Sequence, residues 1–332
     1  MKKYISAFAA VLMVITACSK TEIPVETPKP VKMTLTASIG ADTKVSYVEE
    51  GNVLKSAWEQ YDKVSLIAVN SVGEVLSNDI FTTQSAGNTA NFTGTFTNDA
   101  NTAKVLIYYP PLLEGEGTEE EPWMSPSENG YSSEGVINGV KKGNIYMSLR
   151  SGYYLQKGNG NVSHICQYSV LVGEAVMDGN NFTTTLEHQA YIVKATLTLP
   201  AGSGYDLRRA QMRLYNSEGM SKSEHPLSYT AWRYAATPSQ KENGGPMATI
   251  SMAFGDVIDS GSGTGVILGG NTAIVYFVGF GEAEINKDDY CYITVEGYKG
   301  EDQFEYSSGA IVFTSDRTIN NGKMYRVSAE VN

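Results

Sequence analysis

From Met33 the chain alternates in hydrophobicity: Met33, Leu35, Ala37 and Ile39 are separated by Thr34, Thr36 and Ser38. A period of two places four apolar side chains on one face of an extended strand and the hydroxyls on the other. Gly40-Ala41-Asp42 supplies turn chemistry, and Val45 and Tyr47, alternating with Lys44 and Ser46, predict a second short strand. The same grammar recurs at 63–69 (KVSLIAV), 90–97 (ANFTGTFT), 104–109 (KVLIYY), 190–199 (AYIVKATLTL), 247–254 (MATISMAF), 272–280 (TAIVYFVGF), 290–298 (YCYITVEGY), 309–314 (GAIVFT) and 323–331 (KMYRVSAEV). All of these read as β. No stretch of a dozen residues carries a convincing helical stripe; residues 205–215 (YDLRRAQMRLY) come closest, and they read equally well as a strand. The expectation is an all-β chain of two antiparallel β-sandwich domains, 33–185 and 186–332, with the boundary near 180–190, where Gly179-Asn180-Asn181 precedes Leu186-Glu187-His188 and a long strand from Ala190. Residues 110–143 break the pattern. They hold Pro110, Pro111, Pro122 and Pro126 and the acidic run Glu119-Glu120-Glu121, and they read as an exposed loop.

The amino terminus follows a different rule. Lys2 and Lys3 precede an apolar run over 4–15 that is too short to span a bilayer stably, followed by Ile15-Thr16-Ala17-Cys18. This is an export signal over 1–17, and its end is similar to the bacterial lipobox, in which a cysteine becomes the first mature residue and carries diacylglycerol. Cys18 is therefore the expected lipid attachment site; the alternative is an ordinary secretory signal that happens to contain a cysteine. Residues 18–32 are expected to be a tether, since Pro24, Pro28 and Pro30 remove backbone donors and no apolar period is present.

Composition narrows the partners. The 332 residues are 42% apolar and 18% charged, which is globular, and 25 basic against 36 acidic side chains give a net charge of -11. Binding nucleic acid needs clustered Lys and Arg, so nucleic acid is excluded as a partner. Besides Cys18 only Cys166 and Cys291 occur, with no CxxC, and they read as buried small hydrophobes.

Chemistry is sparse. His164, His188 and His225 are widely spaced, with neither HExxH nor GxSxG, so no zinc site or histidine-based triad is supported and the chain reads as non-enzymatic, without a cofactor. Gly261-Ser262-Gly263-Thr264-Gly265 lacks the following GK[ST] of a phosphate loop and reads as a turn. Neither Glu119-Glu120-Glu121 nor Asp288-Asp289 has the DxDxDG geometry of a calcium loop, and no metal is expected. Trp232 and Tyr234 share a face in Tyr229-Thr230-Ala231-Trp232-Arg233-Tyr234, and Trp123 sits in the acidic loop; such aromatics support the alternative of a surface lipoprotein that binds a glycan or host protein without polymerising.

Taken in order, several motifs resemble the fimbrillin-like lipoproteins of Bacteroidetes, the type V pilus subunits. These are the lipobox, the proline tether, Thr43-Lys44-Val45-Ser46-Tyr47, Leu54-Lys55-Ser56-Ala57-Trp58, Asp62-Lys63-Val64, Phe92-Thr93-Gly94-Thr95-Phe96, Tyr108-Tyr109-Pro110, Leu186 and His188 before a strand, and Asn321-Gly322-Lys323-Met324-Tyr325 before the closing strand. The resemblance implies two transthyretin-like sandwiches and a lipid-anchored precursor at the cell outer membrane that contributes to adhesion. It also implies assembly with other pilus subunits by donor-strand exchange once a trypsin-like protease has cut near the first strand. The displaced strand would carry Met33, Leu35, Ala37 and Ile39, and the donor strand Tyr325, Val327, Ala329 and Val331. The residues alone favour a closing strand paired within its own domain. The family's cut follows an arginine, whereas the first arginine here after the signal is Arg150, so Lys44 and then Lys55 are the processing candidates. Either the protease accepts lysine, or the first strand stays and the subunit serves as an anchor, a tip or an uncut surface protein. No separate donor segment follows the closing strand before Asn332, which counts against a stalk role.

Overall fold

The computed structural model describes residues 29–39, 48–50, 53–55, 57–114, 136–141, 144–149, 153–167, 170–221, 226–234, 241–259 and 262–332. These form an all-β chain of several sheets over two regions. In the first, strands β1 (Lys29–Ile39), β2 (Lys63–Val69), β3 (Val75–Thr83), β4 (Thr89–Asn98), β5 (Lys104–Tyr109), β6 (Leu171–Asp178) and β7 (Asn181–His188) close into a barrel in the order β1-β7-β6-β5-β2-β3-β4. Its interior holds Leu35, Trp58, Val64, Leu66, Phe81, Phe92, Phe96, Ile107, Phe182 and Leu186, all without solvent exposure. Closing the ring removes sheet edges, which otherwise leave unpaired backbone donors and acceptors.

In the second region β8 (Ala190–Thr198), β9 (Tyr205–Tyr215), β10 (Thr249–Phe254), β11 (Thr272–Phe280), β12 (Tyr290–Lys299), β13 (Asp302–Ser307) and β14 (Met324–Glu330) build two sheets. One runs from Tyr153–Gln156 through β10, β9 and β12 to β13, and the other is β11-β8-β14. A short helix, α1 (Ser163–Gln167), lies between Tyr153–Gln156 and β6 in sequence. A further sheet of short strands joins 241–247, 228–234, 144–149, 136–141 and 113–114.

The continuous apolar runs of β2 and β5 have a direct cause. Leu66, Ala68, Val105 and Ile107 face the barrel interior, while Ile67, Val69, Leu106 and Tyr108 face outward into the core of the second region, against residues such as Tyr191 and Ile192. A strand buried on both sides needs apolar residues at every position. The ambiguous segment 205–215 is a strand, and its spacing misleads because the register slips between Leu207 and Arg209. That irregularity stretches one inward step to three residues, Leu207 to Ala210, which imitates a helical stripe.

Three expectations need correction. The sheets are not purely antiparallel: β1–β7 and β8–β14 are parallel, as are 153–156 with β10 and 113–114 with 136–141. These partners are not joined by hairpins, so no turn dictates their direction. Part of the expected loop, residues 136–141, pairs with 144–149. The expected strand at 309–314 shrinks to Ile311–Val312, because the Phe313 amide donates to the Asp289 carbonyl and the Phe313 carbonyl accepts from Asp288.

Candidate functional site

The barrel is completed by β1. In chain order its neighbours are far away, yet it lies antiparallel to β4 on one side, with Leu35 opposite Phe92, and parallel to β7 on the other, with Leu35 beside Phe182. Met33, Leu35, Ala37 and Ile39 all point inward and are buried. On the outer face, the Thr36 hydroxyl donates to Asn91 Oδ1 at 2.9 Å, and Ser38 Oγ is 3.1 Å from Thr185 Oγ1. The alternation therefore creates a two-faced strip whose apolar side is needed for the barrel core and whose polar side meets neighbouring hydroxyls and amides.

Without β1 the walls would have no backbone partner for each other, since β4 and β7 are neighbours only through it. The Ile39 amide donates to the Asn88 carbonyl, so the antiparallel ladder joins Ala37, Leu35 and Met33 to Ala90, Phe92 and Gly94. The Thr34 amide donates to the Asn180 carbonyl, so the parallel ladder continues through the amides of Phe182, Thr184 and Leu186. Side chains do bridge the walls: Phe96 of β4 and Phe182 of β7 meet edge to face, with centroids 5.0 Å apart.

Two residues shape the slot around β1. Gly94 lies opposite Met33, and a Cβ there would sit 2.5 Å from the Phe81 ring, so the phenyl ring takes the space that a side chain would fill. Trp58 is fully buried and held by reciprocal backbone bonds with Gly87. Its Nε1 donates to the Ala37 carbonyl at 3.2 Å, and its ring stands edge to face with Phe92 (4.9 Å) and Tyr109 (5.5 Å).

The closing strand β14 is an edge. It pairs parallel to β8, with Tyr325 beside Val193 and Ala329 beside Leu197, so it sits within its own sheet. The Ile192 amide donates to the Lys323 carbonyl and the Val331 amide to the Thr198 carbonyl. In that ladder the backbone groups of residues 325, 327 and 329 face β8 and those of 324, 326, 328 and 330 face away from it. Tyr325, Val327 and Ala329 pack against the core, while Arg326, Ser328 and Glu330 are exposed. Beside β14 runs an apolar cleft of ≈ 240 Å³ lined by Val327, Ile285, Cys291, Phe313 and Ile319, among others.

The other sequence candidates fall as follows. Cys18, Lys44, Trp123, Glu119-Glu120-Glu121 and His225 lie outside the described residues. Lys55 ends the short strand Val53–Lys55, paired with Val48–Glu50. Trp232 and Tyr234 are on strand Ser228–Tyr234, between 144–149 and 241–247. Cys166 is in α1, and Cys291 is a buried free thiol whose burial raises its pKa to about 11. Ser262 and Gly263 form a small ladder with 257–259, and Gly265 has a positive φ. His164 and His188 are buried, and loss of water holds their pKa values down at about 4 and about 3; His164 Nε2 is 3.0 Å from the Tyr276 carbonyl oxygen. The Asp289 carboxylate accepts from the Asn286 amide at 2.7 Å. Among the described residues no group of three or more His, Cys, Asp or Glu is placed to hold a metal ion.

No protein-family model matches the chain, and neither does any curated protein sequence. Its fold is similar to several solved structures. A candidate cell adhesion protein from Bacteroides ovatus matches over 92% of this chain and 95% of its own, at 11% identity and a TM-score of 0.42. A candidate cell adhesion protein from Bacteroides fragilis matches over 90% and 92%, at 9% identity and a TM-score of 0.40. The fimbrial anchor protein Mfa2 from Porphyromonas gingivalis matches over 83% and 82%, at 11% identity and a TM-score of 0.33.

Proposed function

We propose that this chain is a fimbrillin-like surface lipoprotein, a structural or accessory subunit of a fimbria, and that it joins its neighbours by exchanging the strand that completes the barrel. The observation that carries the reading is the position of β1, whose four inward side chains are buried between two walls that share no ladder of their own. Such a strand is separable. One cut between Ile39 and Val48 frees it without severing any other strand of the ring, and what remains is an apolar slot flanked by unpaired amides and carbonyls. A slot of that kind is satisfied by an extended segment of alternating hydrophobicity.

The closing strand of a second copy is the donor we favour. It carries the right alternation, and as an edge strand it gives up one ladder on leaving its own sheet, together with the short bridge of Val331 and Asn332 to Ser307 and Ser308, where a central strand would give up two ladders. Processing is proposed at Lys44, the first lysine after β1, and then at Lys55, which belongs to a paired strand that a protease must open before cutting. Anchoring through Cys18 at the outer membrane and a tether over 18–32 complete the proposal. The division into transthyretin-like domains at 33–185 and 186–332 belongs to it as well.

Mild trypsin treatment of the purified full chain tests the reading. Cleavage between residues 39 and 48 followed by a ladder of SDS-resistant oligomers is the expected result. A cleaved protein that remains monomeric overturns strand exchange and favours a surface lipoprotein that binds its ligand without polymerising.

A further inference from the structure

β1 is not uniform along its buried face. Three of its inward residues are large, but the third, Ala37, has no solvent exposure despite its size, and the residue opposite it is Ala90. Two facing alanines in a closed barrel leave a void unless something fills it. The fully buried Trp58 is placed to do so, with its indole nitrogen 3.2 Å from the Ala37 carbonyl oxygen and its side chain in the same core. Because the backbone of Trp58 is pinned on both sides to Gly87, the indole has little freedom to withdraw.

We propose that Trp58 makes the slot selective for a small side chain at the third inward position of any strand that fills it, and that this sets the register of the incoming strand; the proposal rests on the strand-exchange reading above. Among inward alignments of the closing strand, one meets the requirement. It places Tyr325 at Met33, Val327 at Leu35, Ala329 at Ala37 and Val331 at Ile39. A shift of two residues in either direction brings a valine against Trp58, and a shift of one turns the polar face inward. A separate feature agrees with this register. Ser328 then takes the place of Thr36, whose hydroxyl donates to Asn91 Oδ1, so a hydroxyl is again available to that amide. The inferred partner is therefore an extended segment of a second copy with the pattern large-x-large-x-small-x-large.

The test uses the full chain with a specific protease site placed within residues 40–47, cut so that β1 is held by non-covalent contacts alone. Fluorescent peptides of the sequences 29–39 and 323–332 are offered in excess, each in native form and with leucine at the small position (Ala37→Leu, Ala329→Leu). Conservative changes at the second position (Leu35→Met, Val327→Ile) serve as controls. We expect the native and control peptides to displace β1, and the leucine peptides to bind at least about tenfold more weakly, as overpacking a rigid site implies. In Trp58→Ala protein the preference disappears or inverts. Equal binding of alanine and leucine peptides to the native slot overturns the selectivity while leaving strand exchange standing. Failure of every peptide, including the chain's own β1 sequence, overturns strand exchange itself. The peptide comparison needs no protein variant to fold.

Discussion

Truncating Leu35 to alanine is a demanding test of the barrel as described. The side chain has no solvent exposure and lies between Phe92 of β4 and Phe182 of β7, in a ring whose two walls share no backbone ladder except through this strand. Removing its isopropyl group loses about three carbon groups at about 0.8 kcal/mol each, and the cavity left behind adds to that. The expected loss is about 3 kcal/mol. Thr36, the next residue, provides the contrast. Its hydroxyl makes one solvent-facing bond to Asn91, so Thr36→Ala should cost no more than about 1 kcal/mol. Urea denaturation of both variants beside the native protein, followed by tryptophan fluorescence, reads the difference directly, because Trp58 sits in the same core. The denaturant slope should stay constant, so that midpoints report stability alone. Equal losses at 35 and 36, or a loss below about 1 kcal/mol for Leu35→Ala, would refute the placement of β1 inside the ring.

Other consequences follow from particular contacts. Gly94→Ala should lower stability by about 1–3 kcal/mol, since its methyl group meets the Phe81 ring, and a melting temperature equal to the native value would contradict this. His164 and His188 are held neutral by burial, with folded pKa values of about 4 and about 3 against an ordinary 6.5. The unfolded chain then binds more protons below pH 6.5, so stability falls as pH drops, by about 3 kcal/mol per histidine at pH 4. Urea midpoints at pH 7 and pH 4, with a His188→Asn variant showing a shallower loss, check the sign and the source. Cys291 lines the cleft beside Val327 of β14. It should alkylate slowly in the intact monomer and at least tenfold faster in protease-induced oligomers whose β14 has left its sheet, as read by peptide mapping. An unchanged rate would mean that β14 stays at home.

How much of this was legible depends on what each residue's environment leaves in the sequence. Segments with one clear face, or buried on both sides, announced themselves, and 63–69, 104–109 and 272–280 form strands with those bounds. β7 was missed for a physical reason. Its inward residues are Phe182, Thr184, Leu186 and His188, so half of its buried face is polar and the apolar count looks too low for a strand. The closure of the ring was equally hidden, because β1 and β7 pair in parallel across a separation of more than 140 residues and no turn links them. Trp58 was visible only as part of a motif. Its neighbourhood depends on the Ala37–Ala90 pair, and a small residue in an alternating strand carries no signal that an indole lies beside it.

Whether β1 is a separable strand is read by amide hydrogen exchange at the six positions that hold it, namely Ala90, Phe92 and Gly94 on β4 and Phe182, Thr184 and Leu186 on β7. Strong protection is expected in the intact chain, loss of protection once β1 has been cut and removed from a monomer, and protection regained in oligomers. If those amides stay protected in a monomer that lacks β1, the two walls close on each other, no slot exists, and β1 is not an exchangeable strand.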